Sequence, residues 1–239
     1  NKLRHLLPHE DIVYLGDTRR NPYGIRTREE ILSFTREIIA FLAGQHVKLI
    51  AFACNTATAT AYDTVVNETD IPLLGMSRGI KTAKDTTTEK RIAVFATPLT
   101  IANHIHKKEA EKTDPFLTIV EQPCASLAGL IERGKLDGPE IREAVRDDVA
   151  PVLKARVDTA IFGCTHYPFV RHIFEEFCGE SVVFVDPAHE TALQTLAVLK
   201  KKNLLNTQRR PGYLHLCFTA EAGRGAALAS ELISPEEFT

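Results

Sequence analysis

Two cysteines occupy matching places along the chain. Lys48-Leu-Ile-Ala-Phe-Ala-Cys54-Asn55-Thr56 and Thr159-Ala-Ile-Phe-Gly-Cys164-Thr165-His166 each read as an apolar strand that ends in a thiol and then in hydroxyl, amide or imidazole side chains. A thiol, with an ordinary pKa near about 8.5, moves between acid and base at neutral pH more readily than a hydroxyl. If a thiolate removes a proton from one face of a carbon and a thiol returns one to the other, a stereocentre inverts without a covalent intermediate. Asn55, Thr56 and Thr165 are then candidate donors to the carboxylate of an amino acid, helped by backbone N–H groups where helices follow the strands. His166 is placed to tune or relay the proton at Cys164.

Free cysteine is among the most buried side chains, and Cys124, Cys178 and Cys217 are read as core filler. Cys164-x-His166 with a distant cysteine lacks further ligands at sensible spacing, so no metal is expected. No lysine motif for pyridoxal phosphate is visible, and no cofactor is expected. Asp17 ends a strand, as Asp186 does; on pattern alone it reads equally as a turn or N-cap residue, and Glu132 as solvated helix surface.

The elements that must position the cysteines alternate between strands and helices. Strands are expected at Asp11 to Gly16, Lys48 to Ala53, Ile71 to Gly75, Arg91 to Ala96, Leu117 to Val120, Asp158 to Gly163, Ser181 to Val185 and Tyr213 to Phe218. Between them, helices are expected at Asn1 to Leu7, Thr27 to Ala43 with a capping box of Thr27 and Glu30, Thr56 to Asn67, Leu99 to Lys112, Pro139 to Arg156, Glu190 to Lys202 and Ala226 to Leu232. Lys84 to Lys90 reads as a linker or helix end. This spacing predicts βαβ units and parallel sheets, whose ligands gather at the carboxyl ends of the strands, where both cysteines fall.

Composition agrees with an ordinary globular α/β chain. The 239 residues are 44% hydrophobic and 25% charged, which excludes disorder as a global description. A net charge of −2 supplies no basic field for nucleic acid or an anionic membrane. Apolar runs fall far short of the roughly 20 residues of a bilayer span. Five cysteines without close pairs suit neither a disulfide framework nor a zinc ribbon, and a reducing cytoplasm is the expected home.

Ala53-Cys54-Asn55-Thr56-Ala57 and Gly163-Cys164-Thr165-His166-Tyr167-Pro168 resemble the two signature motifs of the cofactor-independent glutamate racemases, within the aspartate/glutamate racemase superfamily. Gly16-Asp17-Thr18 with Pro22-Tyr23-Gly24, Gly75 after the Ile-Pro-Leu-Leu strand, and Pro123 with Leu130-Ile-Glu132 and Gly134 extend the resemblance over most of the chain. It implies two similar α/β domains, 1–88 with 190–239 and 89–189, with the substrate between them and a cysteine from each. By the same resemblance Cys54 and Cys164 exchange the α-proton on opposite faces, and Tyr23, Gly24, Asn55, Thr56, Thr165 and His166 bind substrate. Asp17 falls on a family acid beside the site, and Glu132 with His166 assists the second cysteine. The implied product, D-glutamate, feeds bacterial peptidoglycan synthesis, and the implied assembly is a homodimer.

Two features depart from the family. Its opening strand and Asp-Ser-Gly loop have no match; the chain begins inside what reads as the following helix, so a fragment of a longer protein is expected. Met76-Ser77-Arg78-Gly79 stands where the family carries a Glu-Pro pair. A relative acting on aspartate or another amino acid, and a non-catalytic binding or regulatory relative, are the alternatives. Closure of the two domains on substrate is expected, because a weakly acidic α-proton needs a dry site.

Overall fold

β-Branched and aromatic runs become strands, and nearly every strand is followed by a helix that returns the chain to the same end of the sheet. In the computed structural model, residues 1–232 are described, and their strands are β1 (Ile12–Gly16), β2 (Ile50–Ala51), β3 (Leu73–Leu74), β4 (Arg91–Ala96), β5 (Thr118–Pro123), β6 (Thr159–Phe162), β7 (Val183–Val185) and β8 (Leu214–Phe218). All pairings are parallel: β1 with β8, β2 with β3, and a four-stranded sheet in the order β5-β4-β6-β7. Residues 233–239, the end of the expected first domain, lie outside the described residues.

The four-stranded sheet shows how the strand period of two sorts side chains into layers. Ala93, Phe95, Ala160 and Phe162 face one core, where Phe95 and Phe162 meet Phe174 with ring centroids 5.0 and 5.2 Å apart. The helix Pro139–Lys154 closes that side with Ile141, Val145, Val149 and Val152, spaced to fall on one helical face. Ile92, Val94, Ala96 and Ile161 face the opposite core and are covered by Ile80, Ala83 and Ala110. In the other half, the helices Arg28–Gly44 and Asn55–Val65 pack Ile31, Ile39, Leu42, Ala57, Ala61 and Val65 around Ile50 and Phe52. Thr27 and Glu30 form the expected capping box.

Several elements differ from the sequence expectation for identifiable reasons. The helix expected over 99–112 is two, Pro98–Ala102 and Ile105–Thr113, because His104 takes a left-handed conformation at φ +51°. The strand expected over 48–53 pairs only at Ile50–Ala51, since its partner is as short, though Phe52 N–H still reaches the Leu74 carbonyl at 2.8 Å. The expected linker starts inside the helix Ile80–Thr86; Thr87, Thr88 and Glu89 then turn around the Asp158 carboxylate, which accepts the Thr87 hydroxyl and the backbone N–H groups of Thr88 and Glu89. Short helices also form at Leu127–Glu132 and Arg171–Cys178.

Ile80 and Ala83, within the expected first domain, pack with Ile92, Val94, Ala96 and Ile161 of the four-stranded sheet. The return helix, Ala188–Lys201, packs along Lys2–Leu6. Ser77 N–H donates to the Thr191 hydroxyl at 2.9 Å and Arg78 reaches Glu109 at 2.9 Å. Ser77 thus ties residues 75–79 to the helix Ala188–Lys201, and Arg78 ties them to the helix Ile105–Thr113.

Candidate active site

Each cysteine is delivered by the carboxyl end of a strand. Cys54 follows β2 and is the N-cap of the helix Asn55–Val65, its sulfur accepting the Ala57 N–H at 3.4 Å. Cys164 follows β6 through Gly163, where a Cβ would stand 2.9 Å from that of Ala96 and 3.1 Å from the Phe95 carbonyl; only glycine lets the chain run that close to β4 before it turns. Both cysteines line a single small cavity of about 30 Å³, together with Asn21, Tyr23, Gly24, Asn55, Thr56, Thr97, Thr165 and His166. A larger cavity of about 220 Å³ lies between the helices Ile80–Thr86 and Ala188–Lys201, but neither thiol lines it.

A chain of titratable groups extends from Cys164. Its sulfur lies 3.6 Å from Nδ1 of His166, whose Nε2 is 2.5 Å from Oε1 of Glu132. Burial opposes charge on this imidazole, but the hydrogen bonds with Cys164 and Glu132 outweigh it and raise His166 to about 10. The same hydrogen bond from His166 lowers Glu132, against its partial burial. An imidazolium is therefore held between a sulfur and a carboxylate.

The surroundings of Cys54 are neutral. Burial pushes its thiol up to about 11, offset in part by the Ala57 N–H and by the backbone N–H and hydroxyl of Thr56. Thr56, Thr97 and Thr100 form a buried triangle of hydroxyls with oxygens 2.9, 3.0 and 3.1 Å apart. Asn55 is 3% exposed, and neither Oδ1 nor Nδ2 has a partner among the described residues. A buried amide left open toward a cavity is a costly arrangement unless a ligand uses it.

The other residues singled out by sequence divide into those on the cavity wall and those behind it. Tyr23 lines the cavity and donates its hydroxyl to Asp17 Oδ2 at 2.5 Å; burial, then that hydrogen bond, raises the phenol. Gly24 sits against Thr97, where a Cβ would come within 2.8 Å. Asp17 does not line the cavity: Arg20 and Tyr23 occupy one carboxylate oxygen and the Thr219 hydroxyl the other. Asp17 thus holds Tyr23 from behind the cavity wall, with Arg20 and Thr219 as its other partners. Its counterpart Asp186 accepts the Ala188 N–H at a helix start. Cys124 and Cys178 are buried and Cys217 is half-buried, away from the cavity.

Sequence reasoning missed Asn21, Thr97 and Thr100. The rule that pointed to the cysteines covers Thr97 too, since it immediately follows β4, but no echo drew attention to it. Among the described residues no group of three or more His, Cys, Asp or Glu side chains could hold a metal ion, and no helix is long and apolar enough to cross a membrane.

Comparison with known proteins adds to this geometry. Residues 2–195 match the Asp/Glu/Hydantoin racemase family. A glutamate racemase of Lactobacillus helveticus is 36% identical over 239 residues, covering 100% of this chain and 89% of that protein. One from Herpetosiphon aurantiacus is 41% identical over 210 residues, covering 88% and 83% respectively. The solved structure of the glutamate racemase isoform RacE1 from Bacillus anthracis superposes with a TM-score of 0.91 at 30% identity, over 97% of this chain and 87% of that one. That of the Francisella tularensis glutamate racemase in complex with D-glutamate gives 0.87 at 28% identity, over 96% and 86%.

Proposed function

The chain belongs to the Asp/Glu/Hydantoin racemase family, and from that premise we propose that it is an isomerase that interconverts L- and D-glutamate by proton transfer between Cys54 and Cys164. The observation that carries this reading is that both thiols line one small cavity, with the unpartnered Asn55 amide on the same wall. In one direction Cys54 takes the α-proton while Cys164 gives one; in the other the roles exchange. His166 and Glu132 serve Cys164, the imidazolium steadying a thiolate once the proton has left.

Substrate recognition falls to neutral donors. Asn55, Thr56, Thr97 and Thr165 supply hydrogen bonds to carboxylates, with Tyr23 and Gly24 shaping the opposite part of the wall. An α-proton is weakly acidic, so a carbanion must be stabilised by hydrogen bonds made where water is excluded. The narrow cavity between two α/β halves suits that need, and domain closure on the substrate belongs to the proposal, as do a homodimer, a cytoplasmic setting and D-glutamate supply to peptidoglycan synthesis. The relatives named as glutamate racemases, and the relative crystallised with D-glutamate, support glutamate over aspartate.

The test is direct. Incubated with L-glutamate, the protein should drive optical rotation to zero, and in deuterated water it should place deuterium at Cα; L-aspartate should keep its rotation. Unchanged rotation of glutamate, or racemisation of aspartate at an equal rate, overturns the assignment.

A further inference from the structure

Glu132 is where the two halves of the molecule meet across the cleft. It ends the helix Leu127–Glu132 of the second half, and its carboxylate holds His166. From the first half, the Asn21 side chain helps lower that carboxylate, and Arg224, on the helix that follows β8, donates Nη2 to the Glu132 carbonyl at 3.2 Å while its charge acts on the carboxylate. A carbonyl at the last turn of a helix has no partner within the helix, so an arginine from another element is a natural cap for it. The titratable and charged groups facing Glu132 are His166 on its own side and, across the cleft, Tyr14 of β1 and Arg224, the last paired with Glu221 at 3.2 Å.

We propose that Arg224 is a positioning residue of the racemase, a latch that forms when the cleft is shut and holds Glu132 ionised and aimed at His166, so that the imidazolium beside Cys164 is fully supported only in the closed molecule. The inference rests on the proposed role of Cys164 and His166. Its logic is electrostatic. Opening the cleft removes a cation and an amide donor from Glu132, which weakens the carboxylate as a partner and makes the imidazolium easier to deprotonate. Chemistry is thereby favoured once substrate is enclosed and disfavoured when the site is open to water.

The sign of the consequence follows. Activity that depends on the imidazolium is lost as pH rises through the His166 pKa, so losing the latch moves the alkaline limb of the rate profile toward lower pH. Water is achiral and the two enantiomers are equal in energy, so kcat/KM must fall equally in both directions, and the direction of assay cannot produce the effect. Arg224 is exposed at 60% of its side chain, so the shift is modest and sensitive to salt.

The experiment compares pH profiles of kcat/KM for the wild type, Arg224→Gln, Arg224→Lys and Arg146→Gln, with Cys164→Ser alongside. Among the described residues Arg146 pairs only with Glu143 and Asp147 on its own helix, and it serves as the control for loss of a surface cation. Arg224→Gln should move the alkaline limb down by about half to one pH unit. Arg224→Lys, which keeps a charge and a donor, should recover most of that shift, and Arg146→Gln should overlay the wild type. About 1 M salt should narrow the gap between wild type and Arg224→Gln. An Arg224→Gln profile that overlays the wild type at low salt, with Cys164→Ser inactive, overturns the latch alone. Cys164→Ser at wild-type activity overturns the racemase reading on which it rests. Thermal melting of each variant separates these outcomes from misfolding, since the lysine variant retains the packing of the arginine stem.

Discussion

The two thiols share a cavity but live in different electrostatic worlds. Cys164 looks onto an imidazolium backed by a carboxylate, whereas Cys54 looks onto hydroxyls, one amide and the backbone N–H of a helix start. A reaction between enantiomers requires equal rates of return at equilibrium but does not require its two acid–base groups to be supported in the same way. The difference shows that matching strands can present the same atom to unlike neighbours: an imidazole and a carboxylate on one side, hydroxyls and neutral donors on the other.

The comparison is broken most severely by removing either sulfur. Cys54→Ser and Cys164→Ser should each lower racemisation by about 10²- to 10⁴-fold, the range general acid–base groups command, while far-UV circular dichroism stays unchanged. Loss at one cysteine alone would mean a single base serves both faces. Next in size is Asn55→Ala. Loss of a buried amide that hydrogen-bonds a charged ligand should raise the KM for glutamate by roughly 10- to 100-fold, measured by steady-state polarimetry; an unchanged KM would remove Asn55 from the substrate wall.

Burial should also separate the thiols by reactivity. Because burial pushes Cys54 up to about 11, its alkylation by iodoacetamide should keep accelerating with pH, close to tenfold per unit, up to that value. A plateau near about pH 8 would show a thiol unaffected by burial. The smallest effect is on stability. His166 is raised in the fold, so its pair with Glu132 stabilises fully below the ordinary histidine pKa of 6.5 and loses that contribution as pH rises through about 10. Glu132 is lowered, so its share is present above the ordinary 4.5 and fades as pH falls below it. His166→Gln should therefore reduce the melting temperature more near about pH 6 than near about pH 10.5, and an equal reduction at both would contradict an imidazolium in the fold.

Much of this was legible in the sequence because it rests on period and punctuation. β4 has the limits that its apolar run predicts, and Thr27 with Glu30 marks a helix start that the structure contains. The strand-end cysteines were visible because two short segments share a pattern. What stayed hidden depends on contacts between distant segments. Nothing local says that Thr56 will meet Thr97 and Thr100, or that His104 will break a helix by taking positive φ. Asp17 shows the limit most clearly: nothing local says that a strand-end acid will hold Arg20, Tyr23 and Thr219 together. Gly24 was named from its motif, while the close approach of Thr97 that explains it comes from a distant segment of the chain.

The central claim, that two sulfurs address one carbon from opposite faces, is tested most directly by where solvent hydrogen first appears. In deuterated water with L-glutamate as substrate, sampled before a few per cent conversion, the account predicts deuterium at Cα of the D-glutamate formed and protium retained in the recovered L-glutamate. Equal labelling of the recovered L-glutamate and the product at that stage would mean one base reaching both faces, and would contradict it.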